Sequence, residues 1–113
     1  MNLTPTANIR LVSPKLSEAA ALAALTSVGL QEAAKQKTRE LSGDMRRRVA
    51  ILRALLAEYD LLLLDEPFRG LDKKNKALVM EDTRRRCQGR TVLMVTHDPT
   101  ELTAMGAQNC LTL

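Results

Sequence analysis

A chain of 113 residues with 45% hydrophobic and 27% charged residues has the makings of one small soluble domain with a modest core. The net charge of +4 admits a nucleic-acid partner, but Tyr59 and Phe68 are the only aromatics, too few and too scattered for a base-stacking surface. Cys87 and Cys110 lack the spacing of a disulfide framework or zinc site and suit a reducing cytosol; no leader peptide or apolar run of about 20 residues appears.

The first fourteen residues are punctuated by Pro5 and Pro14, and 8–12 form a short apolar piece of undecided type. Leu16 to Val28 reads as an alanine-rich helix, with Ser17 or Pro14 near its start, a stripe of Leu22, Leu25 and Val28, and Gly29 as its stop. Gln31 to Glu40 is a short polar helix or loop. Leu41 to Met45 then turns into a second helix, with Ser42 as its N-cap. Met45, Val49, Leu52 and Leu56 line the apolar face of that helix, while Arg46, Arg47 and Arg53 fall largely off it, where long cations stay wet. The basic clusters 35–39, 46–48 and 84–86 read together as solvated helix faces.

Tyr59 to Leu64 reads as a strand, and its four consecutive leucines predict burial on both faces of a parallel sheet. Asp65 and Glu66 follow where the strand ends, the side of such a sheet on which ligands gather. Lys73 to Gln88 is a helix stopped by Gly89, with a thin apolar stripe (Leu78, Val79, Cys87) that predicts partial exposure. Thr91 to Thr96 is a β-branched strand, so strand, helix and strand form one parallel, right-handed βαβ unit. Pro99 to Gly106 is a short helix and Asn109 to Leu113 a last short strand.

Four stretches in this order resemble the ATP-binding subunit of ABC transporters. Leu41 to Met45 are similar to its signature sequence, Leu61 to Glu66 to its Walker B strand, Gly70-Leu71-Asp72 to its D-loop, and Thr91 to Asp98 to the strand carrying its switch histidine. The resemblance implies an α/β fold: a partial P-loop NTPase domain, with a parallel βαβ core and part of the helical signature subdomain. One incomplete domain over 1–113 is expected, with 1–58 its helical and signature part and 59–113 its Walker B to histidine part. Met45, where glutamine is usual, resembles importers of the nitrate and sulfonate type.

Each site has a chemical reason and a plainer rival. Asp65 offers carboxylate oxygen to Mg²⁺, a hard cation, generally through water. Glu66 is placed to polarise the water that attacks a γ-phosphate; two acids at a strand end also serve simply as acceptors for turn N–H groups. His97 is expected to sense the γ-phosphate, against the reading of a polar strand cap. The resemblance makes Ser42, Gly43, Asp44, Met45 and Asp72 ATP-binding residues that face a nucleotide held by a second subunit, the open N–H groups of a helix start receiving an anion. Asp44 departs from the family's usual glycine. A carboxylate about 5 Å from a phosphate charge costs about 3 kcal/mol at an effective dielectric of about 20. Its benefit to the helix dipole is only about 0.3–1 kcal/mol, so a weakened signature is expected.

No glycine is followed by lysine, so GxxxxGK[ST] is missing, and with it the cradle for the β- and γ-phosphates. The sequence is therefore expected to be the second half of the family domain, nearly inert alone, with ATP and Mg²⁺ bound only in a complete domain or dimer. Expected partners are membrane subunits of a transporter and a second ATPase subunit, at the cytoplasmic face of the membrane, with no nucleic acid. The alternative is an inactive remnant that pairs with a full-length ATPase. In the family the P-loop strand lies beside the histidine strand, so without it Val92 to Val95 should show an open apolar edge.

Overall fold

The computed structural model describes residues 3–34, 36–37 and 40–107. The chain is α/β, with helices α1 (Pro5–Val12), α2 (Glu18–Ser27), α3 (Gly43–Leu56), α4 (Lys73–Arg86) and α5 (Pro99–Ala104) and strands β1 (Leu61–Asp65) and β2 (Thr91–Val95). A 3₁₀ turn at Gln31–Ala33 separates α2 from the approach to α3. The expected strand at Asn109 to Leu113 and the Cys110 thiol lie outside the described residues, as do Lys35 and Arg39 of the first basic cluster.

Side-chain caps set where the helices begin. Ser17, Ser42 and Asp72 each accept a hydrogen bond from the backbone N–H three residues on, at 3.0, 3.1 and 2.8 Å, which satisfies one of the free donors of α2, α3 and α4. Thr4 does the same for α1, with Pro5 at the first helical position, where a missing N–H costs nothing. The undecided piece at 8–12 is thus helical. At the end of α2, Gly29 takes φ +78°, a left-handed turn that suits glycine.

β1 and β2 pair in parallel, from Leu61 opposite Thr91 to Asp65 opposite Val95, with α4 as the connection. Among the described residues one apolar cluster holds α1 to α4 to this ribbon: Ile9 from α1, Leu25 from α2, Val49 and Leu52 from α3, Leu62 and Leu64 from β1, Phe68, and Val79 from α4. On α2 the core stripe is Ala21, Ala24, Leu25 and Val28, and Leu22 faces solvent. The burial expected on both faces of β1 is corrected. Leu62 and Leu64 are buried, but Leu61 and Leu63 are 59% and 61% exposed, because the described helices cover only one face of a two-stranded sheet. Leu93 and Val95 continue the same open face. Among the described residues no helix is long and apolar enough to cross a membrane.

The basic helix faces are not uniformly solvated either. Arg48 is buried and Arg47 half-buried, because both guanidinium groups find acceptors inside the fold. In the third cluster Arg86 is half-buried on the Asp82 carboxylate at 2.8 Å.

Candidate nucleotide-hydrolysis site

The ladder runs one step beyond β1: the Glu66 N–H donates to the Val95 carbonyl at 2.8 Å. Glu66 then leaves the extended conformation at φ +46°, a left-handed value that a residue bearing a Cβ adopts at a cost of about 1–3 kcal/mol. Arg47, from the second turn of α3, holds this turn. Its Nε donates to the Pro67 carbonyl at 3.1 Å and its Nη2 to the Glu66 carbonyl. A helix opening at Ser42 thereby fixes the backbone that carries the strand-end acids.

Parallel pairing sets the chain after β2 beside that turn. The His97 N–H donates to Glu66 Oε1 at 2.8 Å, and His97 Nε2 lies 3.6 Å from the same oxygen. The imidazole itself is 95% exposed, so the peptide is fastened while the ring stays open to a ligand. Asp65 ends β1 exposed, and among the described residues its carboxylate makes no hydrogen bond or ion pair. Mg²⁺ is commonly held by one or two carboxylates together with phosphate and water, and this open acid fits that role. Among the described residues no group of three or more His, Cys, Asp or Glu gathers to hold a metal by protein ligands alone.

A second set of contacts supports the histidine turn from behind. Thr96 Oγ1 donates to Glu101 Oε1 at 2.7 Å and accepts from the Asp98 N–H at 3.1 Å. Lys76, one turn into α4, reaches Glu101 Oε2 at 2.7 Å and Asp98 Oδ2 at 3.2 Å. The Glu101 bond, the largest influence, raises the Lys76 pKa above its ordinary value, with Asp98 adding to it. Asp98 caps α5, and the Thr100 hydroxyl and N–H, followed by Lys76, hold its carboxyl below the ordinary range.

The signature-like residues form a neighbouring cluster. Ser42 caps α3, Gly43 opens it, and Met45 is half-buried in the first turn. The Asp44 carboxylate is turned into the chain: Oδ1 lies 2.7 Å from Arg48 Nε, and Oδ2 accepts from the Asp72 N–H at 3.3 Å. The structure thus brings Asp65, Glu66 and His97 to one end of the sheet and sets Ser42–Met45 and Asp72 at the starts of α3 and α4, with Arg47 linking the two groups. Sequence reasoning passed over Arg47, Arg48, Asn75, Lys76 and Glu101. The four-residue step from Asp44 to Arg48 was the one local signal for any of them.

Residues 2–69 match the family model described as ABC transporter. The bicarbonate transport ATP-binding protein CmpD of Synechococcus elongatus is 47% identical over 79 residues, covering 66% of this chain and 27% of its own. The aliphatic sulfonates import ATP-binding protein SsuB 2 of Agrobacterium fabrum is 44% identical over 102 residues, covering 88% of this chain and 39% of its own. The chain therefore spans between about a quarter and two fifths of these relatives. A bacterial Atm1-family ABC exporter with ATP bound superposes with a TM-score of 0.75 at 24% identity, over 90% of this chain and 20% of the exporter chain, which shows the fold. The family match covers more than half of the chain and the relatives are ATP-binding proteins of transporters: the chain belongs to the ABC transporter ATP-binding family.

Proposed function

We propose that these residues are the signature, Walker B and switch-histidine part of an ATP-binding subunit that couples ATP hydrolysis to transport across a membrane. The carrying observation is the 2.8 Å hydrogen bond from the His97 N–H to Glu66 Oε1, which pre-sets the proposed catalytic carboxylate and sensor in one unit. Glu66, its backbone fixed by Arg47, orients and polarises the attacking water, and the exposed His97 ring is free to meet a γ-phosphate. Asp65 holds Mg²⁺, which when bound offsets the charge of the phosphate oxygens.

Ser42, Gly43, Met45 and Asp72 face nucleotide held by a second ATPase subunit, while Asp44 stands among them with its carboxylate turned into its own chain. A Cβ built on Gly43 meets nothing within 4 Å, so packing among the described residues does not demand glycine there; close approach of a ligand does. The sequence has no GxxxxGK[ST], so in this reading the β- and γ-phosphates are gripped by groups outside these 113 residues, and the chain alone does not turn over ATP. Membrane subunits and a second ATPase subunit are the partners, at the cytoplasmic face, without nucleic acid.

A second reading, a non-catalytic module that pairs with a full-length ATPase, draws its support from the open apolar face of Leu61, Leu63 and Leu93. Calorimetric titration of MgATP tests the assignment. No saturable binding is expected to the chain alone, and binding is expected once a P-loop-bearing segment of a family relative is fused upstream. Binding by the lone chain, or none by the fusion, would overturn it.

A further inference from the structure

The Asp44 carboxylate sits among three donors of its own chain. Arg48 Nε takes Oδ1 at 2.7 Å, the Asp72 N–H reaches Oδ2 at 3.3 Å, and Asn75 Nδ2 lies 3.3 Å from both oxygens. Arg48 is itself buried, and its Nη1 donates to the Val28 carbonyl at the end of α2 at 2.8 Å, so the cation facing Asp44 cannot swing away. On the other side Asn75 is doubly tied to Asp72, its N–H at 2.8 Å from Oδ1 and its side-chain amide at 3.0 Å from Oδ2.

We propose that Asp44 is a positioning residue that fastens the signature turn to the D-loop of its own chain, so that these two elements move as one body. The proposal rests on the ABC reading for its consequence but not for its geometry. Glycine, the family's usual residue at this position, offers no acceptor to Arg48, Asp72 or Asn75. This chain has therefore replaced an open turn with a bridged one. The bridge also revises the cost expected from the sequence. A carboxylate paired with a buried guanidinium and turned toward Asp72 does not present an uncompensated negative charge to an anion approaching α3. Asp44 acts on nucleotide through the placement of Gly43 and Asp72, not by contact.

The test uses the whole chain and reads backbone amide exchange by NMR, together with the side-chain amide signals of Asn75. D44A is expected to speed exchange at the Asp72 amide about tenfold and to shift the Asn75 side-chain signals, as loss of a charge-assisted acceptor implies. N75A, which leaves the Arg48 pair intact, is expected to speed it several-fold with the amides of α1 and α2 unmoved, and it decides the matter if D44A fails to fold. Unchanged exchange at Asp72 in the variants that fold would overturn the bridge.

The functional arm measures MgATP-dependent association with a complete ATP-binding protein of this family whose catalytic glutamate is replaced by glutamine. N75A is expected to weaken association several-fold at an unchanged melting temperature, which a purely structural role would not do. Association unchanged in N75A while Asp72 exchange rises would overturn the positioning role. No association even by the wild-type chain would overturn the ABC reading instead, and the exchange data would still judge the bridge.

Discussion

Replacing Lys76 by methionine, which keeps the length of the stem and removes the charge, isolates the bridge behind His97. In the wild type the Lys76 ammonium lies 2.7 Å from Glu101 Oε2, and the Glu101 side chain is only 6% exposed. Removing one partner of a fully buried pair costs about 3–5 kcal/mol, because the remaining charge stays buried and uncompensated. Lys76 is 28% exposed, and Glu101 keeps the Thr96 hydroxyl, so that figure scales down to about 2 kcal/mol. A loss of this size is a large share of a small domain's total of about 5–15 kcal/mol.

Urea denaturation of wild type, K76M, E101Q and the double variant measures it as a cycle. The double variant should cost less than the two singles together by about 1 kcal/mol or more. The pH dependence has a fixed sign. Lys76 has a raised pKa when folded, so its contribution is complete below the ordinary value of 10.5 and is lost as pH rises through the raised one. K76M and wild type should therefore converge in strong alkali. A K76M loss below about 0.5 kcal/mol near neutral pH, or strictly additive singles, would refute the reasoning.

Three further outcomes follow from particular residues. G29A places a Cβ at φ +78° and within 3.2 Å of both Arg48 Nη1 and Leu78 Cδ2, so it should cost about 1–2 kcal/mol or more by urea denaturation. The side chains of Leu63 and Leu93 stand on the uncovered sheet face, so L63N and L93N should change stability by no more than about 0.5 kcal/mol while lowering self-association by analytical ultracentrifugation. Asp98 has a lowered pKa, led by its bonds to Thr100, so its support of the histidine turn is present above the ordinary 3.8 and lost as pH falls through the lowered value. D98N should therefore flatten the acid limb of the stability profile.

Local chemistry was the legible part of this fold. Ser42 announced the start of α3 because a hydroxyl one residue before a helix has one obvious use, and Gly29 announced the end of α2 because few other residues tolerate its φ. The helix at Pro5–Val12 escaped because its signal lay in Thr4-Pro5, a cap and a first-turn proline, and not in an apolar stripe. The leucine run of β1 showed a strand but not how many faces were covered, since coverage depends on neighbours that the run does not encode. For the candidate site, the leucine run placed Asp65 and Glu66 at a strand end and the resemblance singled out His97; parallel pairing of β1 and β2 sets those two strand ends side by side. Glu101 was illegible for the opposite reason, and Arg48 showed only its four-residue step to Asp44, not the Val28 carbonyl that holds it inside. A buried charge is permitted by its partner, and Lys76, the partner of Glu101, stands a whole βα connection away in sequence.

The most direct test of the account is MgATP turnover by the chain fused behind the P-loop-bearing segment of a family relative, measured for wild type, E66Q and H97A. The account predicts turnover in the wild-type fusion, a fall of about 10²–10⁴-fold in E66Q and a clear loss in H97A. Turnover by E66Q at the wild-type rate would contradict it.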